Sequence, residues 1–104
     1  MSKRKINGNT VIYSAAIWWS ESDPFLNVIA TTAKKADAAA NKMMRDQAKD
    51  AYKSDDFYES ADAALDALHW SGVHAFALKD LATGRELEDT IQELSDNGVA
   101  FLSR

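Results

Sequence analysis

The chain has 104 residues, 46% of them hydrophobic, a net charge of −4 and no cysteine. That is the length of one domain, able to bury about 60–70% of its unfolded surface without staples, and it excludes disulfides and sulfur-ligated zinc. The longest apolar run, Ala15 to Trp19, is far short of the roughly 18 residues of a membrane span, so a soluble cytoplasmic protein without membrane attachment is expected.

The chain opens on Lys3-Arg4-Lys5, followed by the polar Asn7 to Thr10 rather than an apolar leader. This reads as a flexible basic arm over residues 1–9 of a single compact domain, 1–104. Asn7-Gly8-Asn9 is a turn signal, and Thr10 to Trp19 reads as a strand. Val11, Tyr13, Ala15, Ile17 and Trp19 make the better core face; Ile12, Ser14, Ala16, Trp18 and Ser20 share the other. Ser20 to Asp23 is turn chemistry ahead of Pro24, and Phe25 to Thr32 is a second strand with Leu26, Val28 and Ala30 toward the core. Matching the two core sets places Trp18 opposite Phe25 and Ser14 opposite Ile29.

Ala33 to Tyr52 holds seven alanines and no Gly or Pro, a strong helix. Its inner stripe is Ala36, Ala40, Met43, Met44, Gln47 and Ala51. A second helix is expected between Ser54 and Trp70, or after an irregular turn with Ser60 as a second capping candidate, with Phe57, Ala61, Ala64, Leu65 and Leu68 inside and Gly72 as its C-terminal cap. Val73 to Lys79 reads as a strand and Gly84 as a hairpin turn. A short strand over Arg85 to Leu87, or a longer helix through the same stretch, then leads into a helix from about Glu88 to Asp96. Asn97-Gly98 stops that helix before a last strand, Val99 to Leu102. The order β-β-α-α-β-β-α-β predicts an α+β fold, a mainly antiparallel sheet with helices packed on one face.

Charge is unevenly distributed: residues 1–53 carry +4 and residues 54–104 carry −8. Asp55, Glu59, Asp62 and Asp66 recur at helical spacing, with Asp56 beside them. This is a docking face for a basic partner surface, or else a solvated helix face whose first acids complement the helix dipole. The acids also have an internal partner to consider, the basic stripe of the preceding helix. That stripe, Lys42, Arg45, Lys49 and Lys53, offers phosphate contacts alongside the N-terminal basic triplet, with Tyr13 and Trp18 available for base stacking. Asp46 and Asp50 interrupt it, and no RNA-recognition signature is present.

Trp18, Phe25, Ile12 and Ile29 form an apolar strip on the outer hairpin face if the helices cover only the other one. The strip suits an anchor for a partner, a homodimer contact, or an internal cover. His69 and His74 straddle Gly72 and do not have the spacing of a metal site, and Ser71 beside them is no more specific. The four glycines are isolated and make no phosphate loop. No cofactor, metal or catalytic residue is expected.

The hairpin, the run "VIATTAKKADAAA" from strand into Ala-rich helix, and the acidic segment after it cover about residues 10–66. In style this stretch resembles small accessory proteins encoded by phages and mobile elements. The resemblance implies a class, stoichiometric inhibitors of host or defence machinery, some of which present acidic surfaces in place of nucleic acid. The expected function is therefore a small non-enzymatic binding protein that inhibits or modulates a host protein. Its expected contact residues are Asp55, Asp56, Glu59, Asp62, Asp66, Trp18 and Phe25. A nucleic-acid-binding accessory protein using Lys42, Arg45, Lys49 and Lys53 is the alternative.

Overall fold

Apolar side chains on both faces of the first two strands decide the architecture. The computed structural model describes residues 6–20, 22–54 and 57–103. In chain order they form β1 (Val11–Trp19), β2 (Leu26–Ala30), α1 (Ala33–Ser54), α2 (Ala61–Asp66), β3 (Leu68–Trp70), β4 (His74–Ala77), one 3-10 turn (Leu78–Asp80), α3 (Gly84–Asn97) and β5 (Val99–Ser103). All strands are antiparallel in one sheet: β3 and β4 flank β1 on one side, β2 on the other, and β5 lies beyond β2. The α+β order β-β-α-α-β-β-α-β is the one expected; the strand read over Val73 to Lys79 forms as β4, while Leu68–Trp70 supplies a strand in place of the one read over Arg85 to Leu87.

The hairpin register runs from Tyr13 opposite Ala30 to Ile17 opposite Leu26, with Ser14 opposite Ile29 as expected. On the face of the odd-numbered β1 residues, Ala15, Ile17, Leu26 and Val28 pack against Ala40, Met44 and Ala48 of α1 and Ala64 of α2. Alanine at three of these helix positions lets both helices lie close to the sheet. On α1, Ala36, Ala40, Met44 and Ala48 are buried at four-residue spacing, the stripe a 3.6-residue period produces. Val11, expected in this core, is 58% exposed, because the buried cover of this face begins only at Ala15.

The opposite face is covered as well, which corrects the expectation of helices on one face only. Ile12 and Ile29 are fully buried there, packed with Ala100 and Leu102 of β5, Leu78, Ala82 and Leu94, while Leu87 and Ile91 of α3 pack around them. The physical reason lies in β2, whose five residues are all buried. A strand of that kind has to be covered on both sides. Of the roles open to the Ile12–Ile29 strip, partner anchor, homodimer contact or internal cover, the last is the one observed.

The long helix expected before Trp70 shrinks to α2. Ser60 caps it, its Oγ accepting the Ala63 N–H at 3.1 Å, so the segment ahead of Ser60 is outside the helix. Leu68–Trp70 instead joins the sheet as β3. Ile17 pairs with Trp70 and Ser14 with His74, which sets Ser71, Gly72 and Val73 against only Ala15 and Ala16. This is a β-bulge. Gly72 takes φ 74° there, and Ser71 Oγ accepts the Ala16 N–H at 2.9 Å; Gly72 is thus a bulge residue and not a helix cap. Arg85 to Leu87, read as a short strand with a longer helix as the alternative, is the first turn of α3. That helix ends as expected at Gly98, φ 76°, whose N–H reaches the Leu94 carbonyl at 2.9 Å.

The flexible arm expected over residues 1–9 is corrected for its last four residues. Ile6 is buried in the second core. The turn after it is closed by Thr10 N–H to the Asn7 carbonyl at 3.0 Å and tied to the 3-10 turn by Lys79 N–H to the Gly8 carbonyl at 2.8 Å. Residues 1–5, including the basic triplet, lie outside the described residues. Among the described residues, no helix is long and apolar enough to cross a membrane.

Candidate binding surface

A column of aromatic rings stands where β1 ends. Trp19 stacks on Phe25 on one side, centroids 6.4 Å apart, and on Tyr58 on the other, 6.1 Å apart. Phe57 meets Tyr58 edge-on at 5.2 Å. The first three rings are partly buried against the first core, whereas Phe57 is 80% exposed. Offset stacks and edge contacts of this kind contribute about 0.5–1.5 kcal/mol each beyond area burial, so the inner rings hold a firm base under Phe57.

Phe25 was expected beside Trp18 on the outer face, and the structure moves it. Its N–H donates to the Ile17 carbonyl at 3.1 Å, although Ile17 is already in register with Leu26. Two residues therefore oppose one, and such doubling brings neighbouring side chains toward the same side of the sheet. The ring then lands on Trp19. Trp18 stays on the other face, half-buried, and stacks on His69 across the strand pair at 6.1 Å.

The acidic residues divide. Asp62 and Asp66 are exposed one turn apart on α2, and Glu59 is exposed in the bend before it. Among the described residues, Glu59 does not continue the helix stripe of Asp62 and Asp66, because the helix starts only after Ser60. Asp55 and Asp56 lie outside the described residues. Alternation along β1 decides which aromatics accompany these acids: α2 packs on the odd-numbered face, with Trp19, Phe25 and Tyr58. Trp18 faces away. Phe57, expected in the inner stripe of a helix, was missed as a surface residue. The capping candidate Ser60 is the residue that decides it, closing the helix off before Phe57 can join,.

Lys42, Arg45, Lys49 and Lys53 are all exposed along α1. They lie on the side of the sheet opposite to Trp18, so the structure does not bring together the cations and the stacking ring that the nucleic-acid alternative requires. Tyr13 is on the α1 side but half-buried.

His69 and Ser20 are adjacent, with Nε2 2.8 Å from Oγ. The Ser20 hydroxyl also lies 3.1 Å from the Ala67 carbonyl, which accepts the Ser20 N–H at 2.8 Å. These contacts tie the β1 end to the strand beginning at Leu68. His74 Nε2 donates to the Ser71 carbonyl at 2.9 Å, across the bulge. Among the described residues, no three His, Asp or Glu side chains gather as metal ligands would. Comparison of the chain with protein-family models, with curated proteins and with solved structures finds no match, so its own geometry carries the functional argument.

Proposed function

We propose that the chain is a non-enzymatic binding protein that inhibits or modulates a host protein or complex by occupying a basic surface on it. The observation that carries this reading is Phe57, 80% exposed on a stacked aromatic base, with exposed Glu59, Asp62 and Asp66 next along the chain. A fully buried phenylalanine contributes on the order of 2–3 kcal/mol, too little alone to offset the cost of association. The carboxylates supply what the ring does not: they steer a basic partner and set its orientation. The anchor is Phe57 rather than Trp18, because Phe57 is the ring that shares the acidic side of the sheet.

The test is affinity capture from the native host with the partner identified. Capture by the wild-type chain and its loss in Phe57→Ala and in Asp62→Lys/Asp66→Lys, with melting temperatures kept, is the expected result. Capture unchanged in both variants refutes the surface. A salt-sensitive shift of DNA or RNA that disappears with Lys42→Ala/Arg45→Ala/Lys49→Ala replaces the reading with nucleic-acid binding.

A further inference from the structure

The outer edge of β5 carries no strand among the described residues. Its ladder with β2 shows which main-chain groups are left over. Thr31 N–H donates to the Gly98 carbonyl at 3.1 Å, and this pair continues the register of Ala30 with Val99. Hydrogen-bonded and non-hydrogen-bonded pairs alternate along an antiparallel ladder. Positions 98, 100 and 102 therefore bond inward to β2, and Val99, Phe101 and Ser103 turn their N–H and C=O groups to the free side.

Beside that edge runs a groove whose far wall is α3, lined by Glu86, Asp89 and Glu93 with Arg85 at one end. Glu93 also accepts a hydrogen bond from Asn97 Nδ2 at 2.6 Å. The other flank carries Phe101, 47% exposed. The edge thus has two chemically distinct sides, an acidic one toward α3 and an aromatic one toward the opposite face.

We propose that the β5 edge is a strand-addition site for an extended basic segment of a partner protein. The segment carries Lys or Arg at every second position toward α3 and apolar residues at the positions between, toward Phe101. Main-chain bonds to Val99, Phe101 and Ser103 supply affinity, and the alternating side chains supply specificity. Spacing agrees. Glu86, Asp89 and Glu93 span about 10 Å along a helix that rises 1.5 Å per residue. Three alternate residues of a strand span about 13 Å, a difference that long flexible cations absorb. Charge also selects against a second copy as occupant. An antiparallel β5–β5 pair across a two-fold axis brings the two sets of carboxylates together, and like charge at that range is repulsive. Among the described residues the edge is unpaired, and the acids decide who sits on it. The site is separate from Phe57 and α2 and does not depend on the function proposed for them.

The probe is a capped synthetic peptide, Lys-Val-Lys-Val-Lys-Val-Lys, titrated into the isotope-labelled full chain. Binding is expected to shift the amide signals of Val99, Phe101 and Ser103. N-methylation of alternate peptide amides along the bonding edge is expected to weaken it at least tenfold. Glu86→Lys/Asp89→Lys/Glu93→Lys is expected to weaken it at least tenfold and to favour the Glu-Val counterpart instead. Asp62→Lys/Asp66→Lys leaves binding intact, which separates this site from the α2 surface. No binding, equal affinity for the N-methylated peptide, or shifts gathered on α2 overturns the proposal. Concentration-dependent dimerisation with shifts confined to β5 overturns the choice of occupant.

Discussion

Phe25 stacks on Trp19, with ring planes 16° apart, although simple strand pairing sets it opposite Trp18. The doubling of Phe25 and Leu26 against Ile17 makes the difference. The two adjacent tryptophans consequently have unlike roles: Trp19 sits between two rings over the first core, and Trp18 has His69 as its stacked neighbour on the far face.

Replacing Trp19 by alanine is therefore expected to cost about 3 kcal/mol, near the lower end for large aromatic deletions because the ring is only partly buried. Trp18→Ala is expected to cost about 1 kcal/mol, the loss of one stack and part of its area. Urea unfolding of both variants checks the order; equal losses contradict it.

Ile29→Ala tests the two-sided sheet. With Ile29 fully buried under the second core, the substitution is expected to destabilise by about 3 kcal/mol. A sheet covered on one face leaves Ile29 in solvent, and the same change then costs less than about 0.5 kcal/mol.

Gly98→Ala is expected to cost about 1 kcal/mol, because φ 76° at the end of α3 is left-handed backbone,. The added methyl meets the flexible Lys35 side chain, whose Nζ is nearest at 2.9 Å, so the loss is conformational and not one of packing. Thermal melts of this variant and of Lys35→Ala/Gly98→Ala, which removes the contact, are expected to show the same decrement for the glycine change.

Phe57→Ala is expected to cost about 1 kcal/mol or less, since the ring is 80% exposed and loses one edge contact, that with Tyr58,. Loss of partner capture without loss of stability is the pattern of a binding residue. A loss of 2 kcal/mol or more in the unfolding curve marks Phe57 as a structural residue instead.

The hairpin, its register, the Ala-rich first helix and the Gly98 stop were legible because each depends on local chemistry. Alternation, turn residues and helical period are properties of neighbouring residues; the two-residue period excludes registers that split Leu26, Val28 and Ala30 from Ile17, and the loop at Ser20 to Asp23 selects among the rest. The acidic segment was less legible. Asp62 and Asp66 were identified as exposed acids, but the continuous stripe assumed a helix that Ser60 and the sheet cut short at both ends.

What the sequence by itself determined is the element order, the pairing of β1 with β2 and the separation of a basic first half from an acidic second half. Tertiary structure alone decided that α3 crosses the second face, that Leu68–Trp70 leaves the helix to become an edge strand, and that Phe25 turns to Trp19. Each of these choices balances a local preference against burial available only from distant residues. Leu68 gains the core beside Ile17 by becoming strand, and the cover of Ile12 and Ile29 includes Leu94, Ala100 and Leu102, more than sixty positions away. No window of neighbouring residues contains both sides of that balance.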